Sequence, residues 1–491
     1  MQRLAAGEPV PSAEGAQRLA RRLLDAGLAH PRPPALAGPR DVAVVIPVHD
    51  DPGGLAATLS ALVPAERGVG DGGKPLPAEP IVVVDDASAE SVGLAAGGAP
   101  GDAAVIRRAA QGGPAAARNA GWRAVTANLV AFVDANCEPE PGWLDHLLPH
   151  FGDPLVAAVA PRIVAASHRG APGWLAAYES VRSPLDLGPR EANVRPRSPV
   201  AYVPTAALVV RRTALEALGG FDETLTVGED VDFVWRLVAA GWTVRYEPGA
   251  TVRHPMRPTT IAWLEQRYRY GTSAAPLARR HGAAVAPAVV SPWTAAAWAL
   301  VAAGQPLGGL ATAGYSVAAL AGGRSTPRLA QWVGAEAGTP AVRPVGAETA
   351  GGRRIRPEAG QRPIRLPLGE TVRLAGVGHV RGGLSLARAV RRAWPPMAVL
   401  LAATSRRSRP ALVAAAVVPG LVDWAQRRPR LDPLRFCALH LAYDLAYAAG
   451  LWAGCRRERS VRALLPEFSG ARRHRPRQTD GSASPTIGGR A

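Results

Sequence analysis

Three acidic clusters, each closing an apolar run, fall between residues 41 and 140: VAVVIPVHDD (42–51), IVVVDDAS (81–88) and LVAFVDANCEPE (129–140). Runs such as IVVV and LVAFV are too short and too β-rich for helices. They read as strands of a parallel sheet buried on both faces. Ligands of open α/β sheets bind beyond the carboxyl ends of the strands. Three acidic strand ends therefore crowd one crevice. Crowded carboxylates repel unless a divalent cation or a donor-rich ligand sits among them, and a metal-bound nucleotide supplies both.

The strand patterns alternate with helical ones at LAATLSALV (55–63), AARNAGWRAVTA (116–127) and GWLDHLLPHF (142–151). This alternation predicts βα units and an α/β fold. An amphipathic helix is expected over 16–29, a second strand-bearing block over 153–255, and a Gly/Pro loop over 66–79. The expected organisation is a helix and Pro-rich linker (1–40), a catalytic domain (41–282), an apolar helical segment (283–323), a flexible insert (324–383), a C-terminal helical region (384–466) and a disordered tail (467–491). Residues 283–323 carry no charge, which is length enough for two membrane passes at ~20 residues each. The run is rich in Ala and Gly, so a packed helical pair competes with that reading.

The formal net charge is +18. Nucleic acid, an anionic membrane surface and phosphate-bearing ligands all fit a basic chain. The arginines are scattered and lack interleaved aromatics, so nucleic acid is set aside and a membrane surface ranks above it. The three cysteines, Cys137, Cys437 and Cys455, are odd in number and widely spaced. They make neither a disulfide framework nor a zinc site and fit a reducing cytoplasm. No continuous apolar stretch near the N-terminus reads as a signal peptide.

Several residues could carry chemistry. Asp85 and Asp86 follow a strand and could accept from the imide N–H of a uracil ring; the plain alternative is a helix N-cap. GGPAAARNAG opens a helix whose first N–H groups could hold phosphate, with Arg118 adding a charge-assisted bond. Asp134 and Asn136 point the same way on an extended segment and could share a hard cation such as Mg²⁺ or Mn²⁺, with Glu138 as a further donor. Glu229 and Asp230 begin a helix, where the dipole favours them; the sharper reading makes Asp230 a general base. His254 ends a strand as a metal ligand, a phosphate contact or a structural residue. Gln266 and Arg269 share a helix face at i, i+3 and could hold an acceptor or a leaving diphosphate.

The elements IPVHDD, VVDDAS, AARNAG, FVDAN, GGFDE, GEDVDFVWRL and QRYRY, taken in this order over about 41–270, resemble those of family-2 glycosyltransferases. The resemblance implies the A-type nucleotide-sugar fold, a divalent metal and inversion at the anomeric carbon. It places Pro47, Asp85, Asp86 and Arg118 at the nucleotide-sugar donor, with Asp85 on the uracil. It puts Asp134 at the first acid of the D-x-D motif, Asp230 at the base of the E-D motif with Glu229 beside it, and Gln266 and Arg269 in a Q-x-x-R-W motif whose Trp is Tyr270 here. Asn136 stands where the second acid would, and Glu138 or His254 could compensate. RLLDAGLAHPRPP, RYRYGTSAAPLARRHG and LAYDLAYAAGLWAGC are similar to the mycofactocin-system glycosyltransferases, which add glucose units to a peptide-derived redox cofactor.

The function this implies is metal-dependent transfer of a sugar, glucose from UDP-glucose, onto a small-molecule or peptide-derived acceptor. The expected place is the cytoplasm, attached to or inserted in the inner face of the membrane. Three other readings stay open at this point: a family-2 transferase acting on a polysaccharide or lipid, a nucleotidyltransferase, and a membrane-docked binding protein with a decayed site.

Overall fold

The computed structural model describes residues 8–11, 13–34, 41–62, 80–92, 103–166, 171–321 and 367–469. The expected loop at 66–79, residues 324–366 of the expected insert and the tail from 470 on lie outside the described residues.

The apolar runs are strands, as their β-branched content dictates. They are β1 (Val42–Val48), β2 (Ile81–Asp85), β3 (Ala104–Arg107), β4 (Leu129–Val133), β5 (Glu138–Pro139), β6 (Val156–Ala166), β7 (Ala192–Asn193), β8 (Ala207–Arg211) and β9 (Thr243–Pro255). They form one mixed sheet in the order β3-β2-β1-β4-β8-β6-β9-β5, with β7 also on β9. The first four are parallel; β8 runs antiparallel to both β4 and β6.

Register puts Val48 beside Asp85 and Val45 beside Phe132, so the acidic ends of β1, β2 and β4 finish in one row. One face buries Val45, Phe132 and Val210 with Phe221 and Phe233; the other buries Ile46, Val83 and Val133 with Leu147 and Val252. Phe132 is fully buried, which contributes about 1.5–3 kcal/mol relative to leaving such a side chain in water.

The segment 116–127 is helical from Gly113 to Ala124, and Glu229 to Ala239 form the helix after GGFDE. Asn119 joins the two motifs: its amide donates to Phe221 O at 2.8 Å and its oxygen accepts from Phe221 N at 2.9 Å. The N-terminal helix runs Glu14–Asp25, a little earlier than its periodicity indicated, and Arg21 ties it to Asp153 at 2.7 Å.

The uncharged segment holds two short helices, Pro292–Ala302 and Pro306–Ala321. At ~1.5 Å rise per residue neither reaches across ~30 Å of hydrocarbon. No helix among the described residues is long and apolar enough to cross a membrane. The chain resumes as helix at Leu368, inside the expected insert, and runs to Arg392. Four glycines at 376, 378, 382 and 383 hide that helix from propensity. The expected tail likewise begins with Glu467–Phe468 paired to Val289–Val290.

The last long helix, Pro433–Arg457, lies along Thr260–Thr272, the helix that carries QRYRY. A Cβ on Gly271 would strike Tyr447 O, and one on Gly450 would strike Tyr268 O. Backbones meet here because neither position has a side chain. Arg427, at the end of helix Arg409–Arg427, donates to Val181 O at 2.6 Å and ties the C-terminal helices to helix Gly173–Arg182 as well.

Candidate active site

The turns after β1 and β2 are clipped to each other. Asp50 N donates to Ser88 Oγ at 3.0 Å and Ala89 N to Asp50 Oδ1 at 2.7 Å. Asp50 and Ala87 both sit at left-handed φ, 51° and 56°. Such strain persists only where surrounding structure holds it, and it concentrates at functional sites. Pro47, half-buried in β1 opposite Val84, lies just before this turn.

Asp85 and Asp86 both accept hydrogen bonds from other parts of the chain. Asp85 accepts from Arg107 Nη1 at 2.6 Å and from Ser88 N at 2.9 Å. Asp86 pairs with Arg108 and accepts from Gly113 N at 2.7 Å and Gly112 N at 3.1 Å. The N–H groups expected to hold phosphate at the start of the 113–124 helix therefore face a carboxylate. No helix follows Asp86 among residues 87–92, so the capping it performs is on a helix far along the chain.

Arg118 occupies the centre. Its side chain is 3% exposed and bridges two acids, Asp134 Oδ1 at 2.7 Å and Glu229 Oε1 at 3.0 Å. Burial alone would lower its pKa, but Asp134 and Glu229 outweigh burial and raise it. Strand end 134 and helix start 229 thus share one cation. Gly228, at φ 85°, turns the chain into that helix, and a Cβ there would press on Ser273. Asp230 keeps some accessible surface, yet its surroundings are dense. Burial, then the charge of Glu229, push its pKa up to about 7. Its Oδ1 accepts from Val231 N at 2.7 Å.

The candidate metal ligands lie beside this pair. Glu138 pairs with Arg253 across β5 and β9, so His254 follows one step beyond, next to the turn that carries Asn136. Asp134 acts electrostatically on His254, whose pKa is lowered, with burial the main cause. A neutral imidazole is the ligand form. Glu138 is exposed at the sheet edge. Among the described residues no three His, Cys, Asp or Glu side chains gather as a cage. Asp134, Asn136 and His254 offer a carboxylate, an amide oxygen and an imidazole, donor types that divalent cations accept.

The QRYRY helix closes the crevice. The Gln266 amide meets the Tyr270 hydroxyl at 3.1 Å, and with its oxygen turned to Arg257 it accepts from that guanidinium at 3.1 and 3.2 Å. Arg269 is exposed. Its neighbour Arg267 is fully buried and donates to both oxygens of Glu179, at 2.9 and 3.0 Å. Trp263 Nε1 donates to the same carboxylate at 2.8 Å. Sequence reasoning passed over Arg267 because a charge between Gln266 and Tyr268 looks solvated.

The chain is similar to known proteins over most of its length. The model of "Glycosyl transferase family 2" matches residues 43–219. The "Pre-mycofactocin glycosyltransferase" of Mycobacterium tuberculosis is 42% identical over 465 residues, covering 93% of this chain and 88% of that protein. The "Succinoglycan biosynthesis protein ExoU" of Rhizobium meliloti is 31% identical over 215 residues, 42% of this chain and 59% of its own. Among solved structures, GalNAc-T7 with UDP, GalNAc and Mn²⁺ aligns at TM-score 0.33 and 18% identity, over 44% of this chain and 43% of its own. The TarS 1–349 structure from S. aureus aligns at TM-score 0.33 and 15% identity, over 48% and 65%.

Proposed function

The chain belongs to glycosyl transferase family 2, among the mycofactocin-system glycosyltransferases, and from that premise we propose that it moves glucose from UDP-glucose onto a hydroxyl of pre-mycofactocin with inversion. The enzyme class, glycosyltransferase, and the A-type α/β fold come with the family. The donor, the stereochemistry and the acceptor are our reading.

The observation that carries it is Asp230. A carboxyl whose pKa sits near 7 can take a proton at neutral pH, which is what a general base for an attacking hydroxyl needs. As the hydroxyl oxygen bonds to the anomeric carbon, the bond to UDP breaks and the proton passes to Asp230. A single displacement inverts that carbon. Arg118 fixes Asp134 and Glu229 and so sets the floor of the crevice. A divalent cation held by Asp134, Asn136 and His254 would neutralise the diphosphate. Asp85 and Asp86 hold the nucleotide side through the loops they tie, and Gln266 and Arg269 stand on the acceptor and diphosphate side.

We also propose that the protein rests on an anionic membrane surface. Leu307, Leu310, Val399, Leu400 and Val413 are 80%, 68%, 69%, 64% and 63% exposed, and Arg406, Arg407 and Arg409 border them. Exposed apolar side chains on short helices with arginines nearby in sequence suit interfacial attachment. Pelleting with phosphatidylserine vesicles, reversed by salt, is expected; no pelleting overturns this.

Incubation of the full chain with UDP-glucose and pre-mycofactocin tests the main reading. A hexose-bearing product with inverted anomeric configuration by NMR is expected. Retention of configuration overturns the single displacement, and absence of sugar incorporation overturns the donor–acceptor pair.

A further inference from the structure

The C-terminal helices bring a cation and two rings to the active-site wall. Arg392 lies 4.3 Å from the Tyr447 ring centroid and 5.9 Å from that of Tyr443. Tyr443 in turn backs onto the helix that carries Gln266 and Tyr270: its ring is 6.1 Å from that of Trp263 and takes Arg267 at 4.8 Å. The Arg392 side chain is 38% exposed and its Nε makes one long pairing, to Asp444 at 3.6 Å. Asp444 is already met by the buried Arg391. The guanidinium head of Arg392 therefore has capacity that the protein's own acids leave unused.

This wall adjoins the base. Tyr202 lies within electrostatic reach of Asp230, Tyr443, Tyr270 and Arg392 together. Tyr270 likewise feels Asp230, and burial with its neighbours pushes its phenol up to about 12. Tyr202, Tyr270, Tyr447, Arg392 and Asp230 each retain accessible surface while dense packing strips their hydration. Groups lining a deep cleft behave this way; groups on a convex face do not.

Resting on the glycosyl-transfer reading above, we infer that Arg392 and Tyr447 form with Tyr202 and Tyr270 an acceptor subsite for a planar ring bearing an anionic oxygen, with the buried Tyr443 backing Arg392. The half-buried rings of Tyr202, Tyr270 and Tyr447 supply apolar contact for such a ring. A cation over aromatic faces and short of acidic partners favours an anion at its free edge. An acceptor bound here presents its hydroxyl to Asp230 while its acidic oxygen lies against Arg392.

The test is titration calorimetry of the full chain, saturated with UDP, against 4-hydroxyphenylacetate as probe. Wild type is expected to bind, Arg392→Gln to bind at least tenfold more weakly, and Arg392→Lys to recover part of the loss. Asp444 keeps Arg391 in the Gln variant, and an unchanged melting temperature confirms its fold. No binding by wild type, or equal binding by Arg392→Gln, overturns the inference, whatever the sugar-transfer assay shows. In steady-state transfer the same variant is expected to raise the KM for pre-mycofactocin tenfold or more and that for UDP-glucose far less. An equal rise in both overturns the assignment to the acceptor.

Discussion

The guanidinium of Arg118 reaches Asp134 at 2.7 Å from inside the protein, with the arginine side chain 3% exposed and the aspartate 31%. The strand-end acid is therefore held from behind and leaves its open side to the crevice. Glu229 shares the same guanidinium, so one buried cation positions both acidic motifs.

Removing that cation strands two carboxylates. Arg118→Ala should lose about 3–5 kcal/mol of stability, the usual cost of leaving buried charge uncompensated, read as a urea midpoint shift. Turnover should fall in parallel, because Asp134 and Glu229 then repel. A variant that melts like wild type would show that the bridge contributes nothing.

Asp230→Asn should reduce kcat by about 10²–10⁴-fold, the share a general base usually supplies. In wild type, kcat/KM should rise with pH and level off above about 7, as the base ionises. The stability sign runs the other way. A carboxyl whose folded pKa lies above its unfolded value stabilises the fold at acid pH, and that share is lost as pH climbs through about 7. The Asn variant should therefore gain on wild type progressively between the unfolded value of 3.8 and about 7, so that its advantage in melting temperature is larger at pH 8 than at pH 5. Differential scanning calorimetry at the two values checks this.

Asn136→Asp should tighten Mn²⁺. An added charge among the oxygen donors raises affinity, here by about tenfold, or ~1.4 kcal/mol. Calorimetric titration of Mn²⁺ in the presence of UDP reads the change. Equal affinity would remove Asn136 from the ligand set. Chelator treatment should abolish sugar transfer by wild type, and Mn²⁺ should restore it.

The helix crossing is close enough to be tested by volume. Gly450→Leu places a side chain against Tyr268 O. Overpacking of this kind costs about 1–3 kcal/mol, and more where backbone cannot yield. The variant should lose thermal stability, measured by circular dichroism, while Ala449→Leu on the exposed side of the same helix should not.

Periodicity and order carried the first half of the fold: short β-branched runs with acidic ends are visible without coordinates. Local patterns could not show where Asp86 turns, because its partners Gly112 and Gly113 are remote in sequence and its neighbours imitate a helix cap. Arg118 was legible as a cation near the site, but its partners came from two other elements. Arg267 with Glu179 was hidden because a buried ion pair leaves no periodic mark. The glycines of 376–383 mimicked a linker. Arg392 belongs to no motif in the chain and Tyr443 sits in a matched segment that assigns it no role; only the docking of two distant helices brings them near the base.

That docking limits how the molecule can be divided. The stretch recognised as a family domain ends at 219, before Asp230, and the QRYRY helix after it shares its backbone surface with the final long helix. A shortened protein ending after the QRYRY helix would uncover a seam of main chain and lose one side of the chamber beside its base. Engineering for smaller size has to begin elsewhere, and any fusion partner has to spare the final long helix.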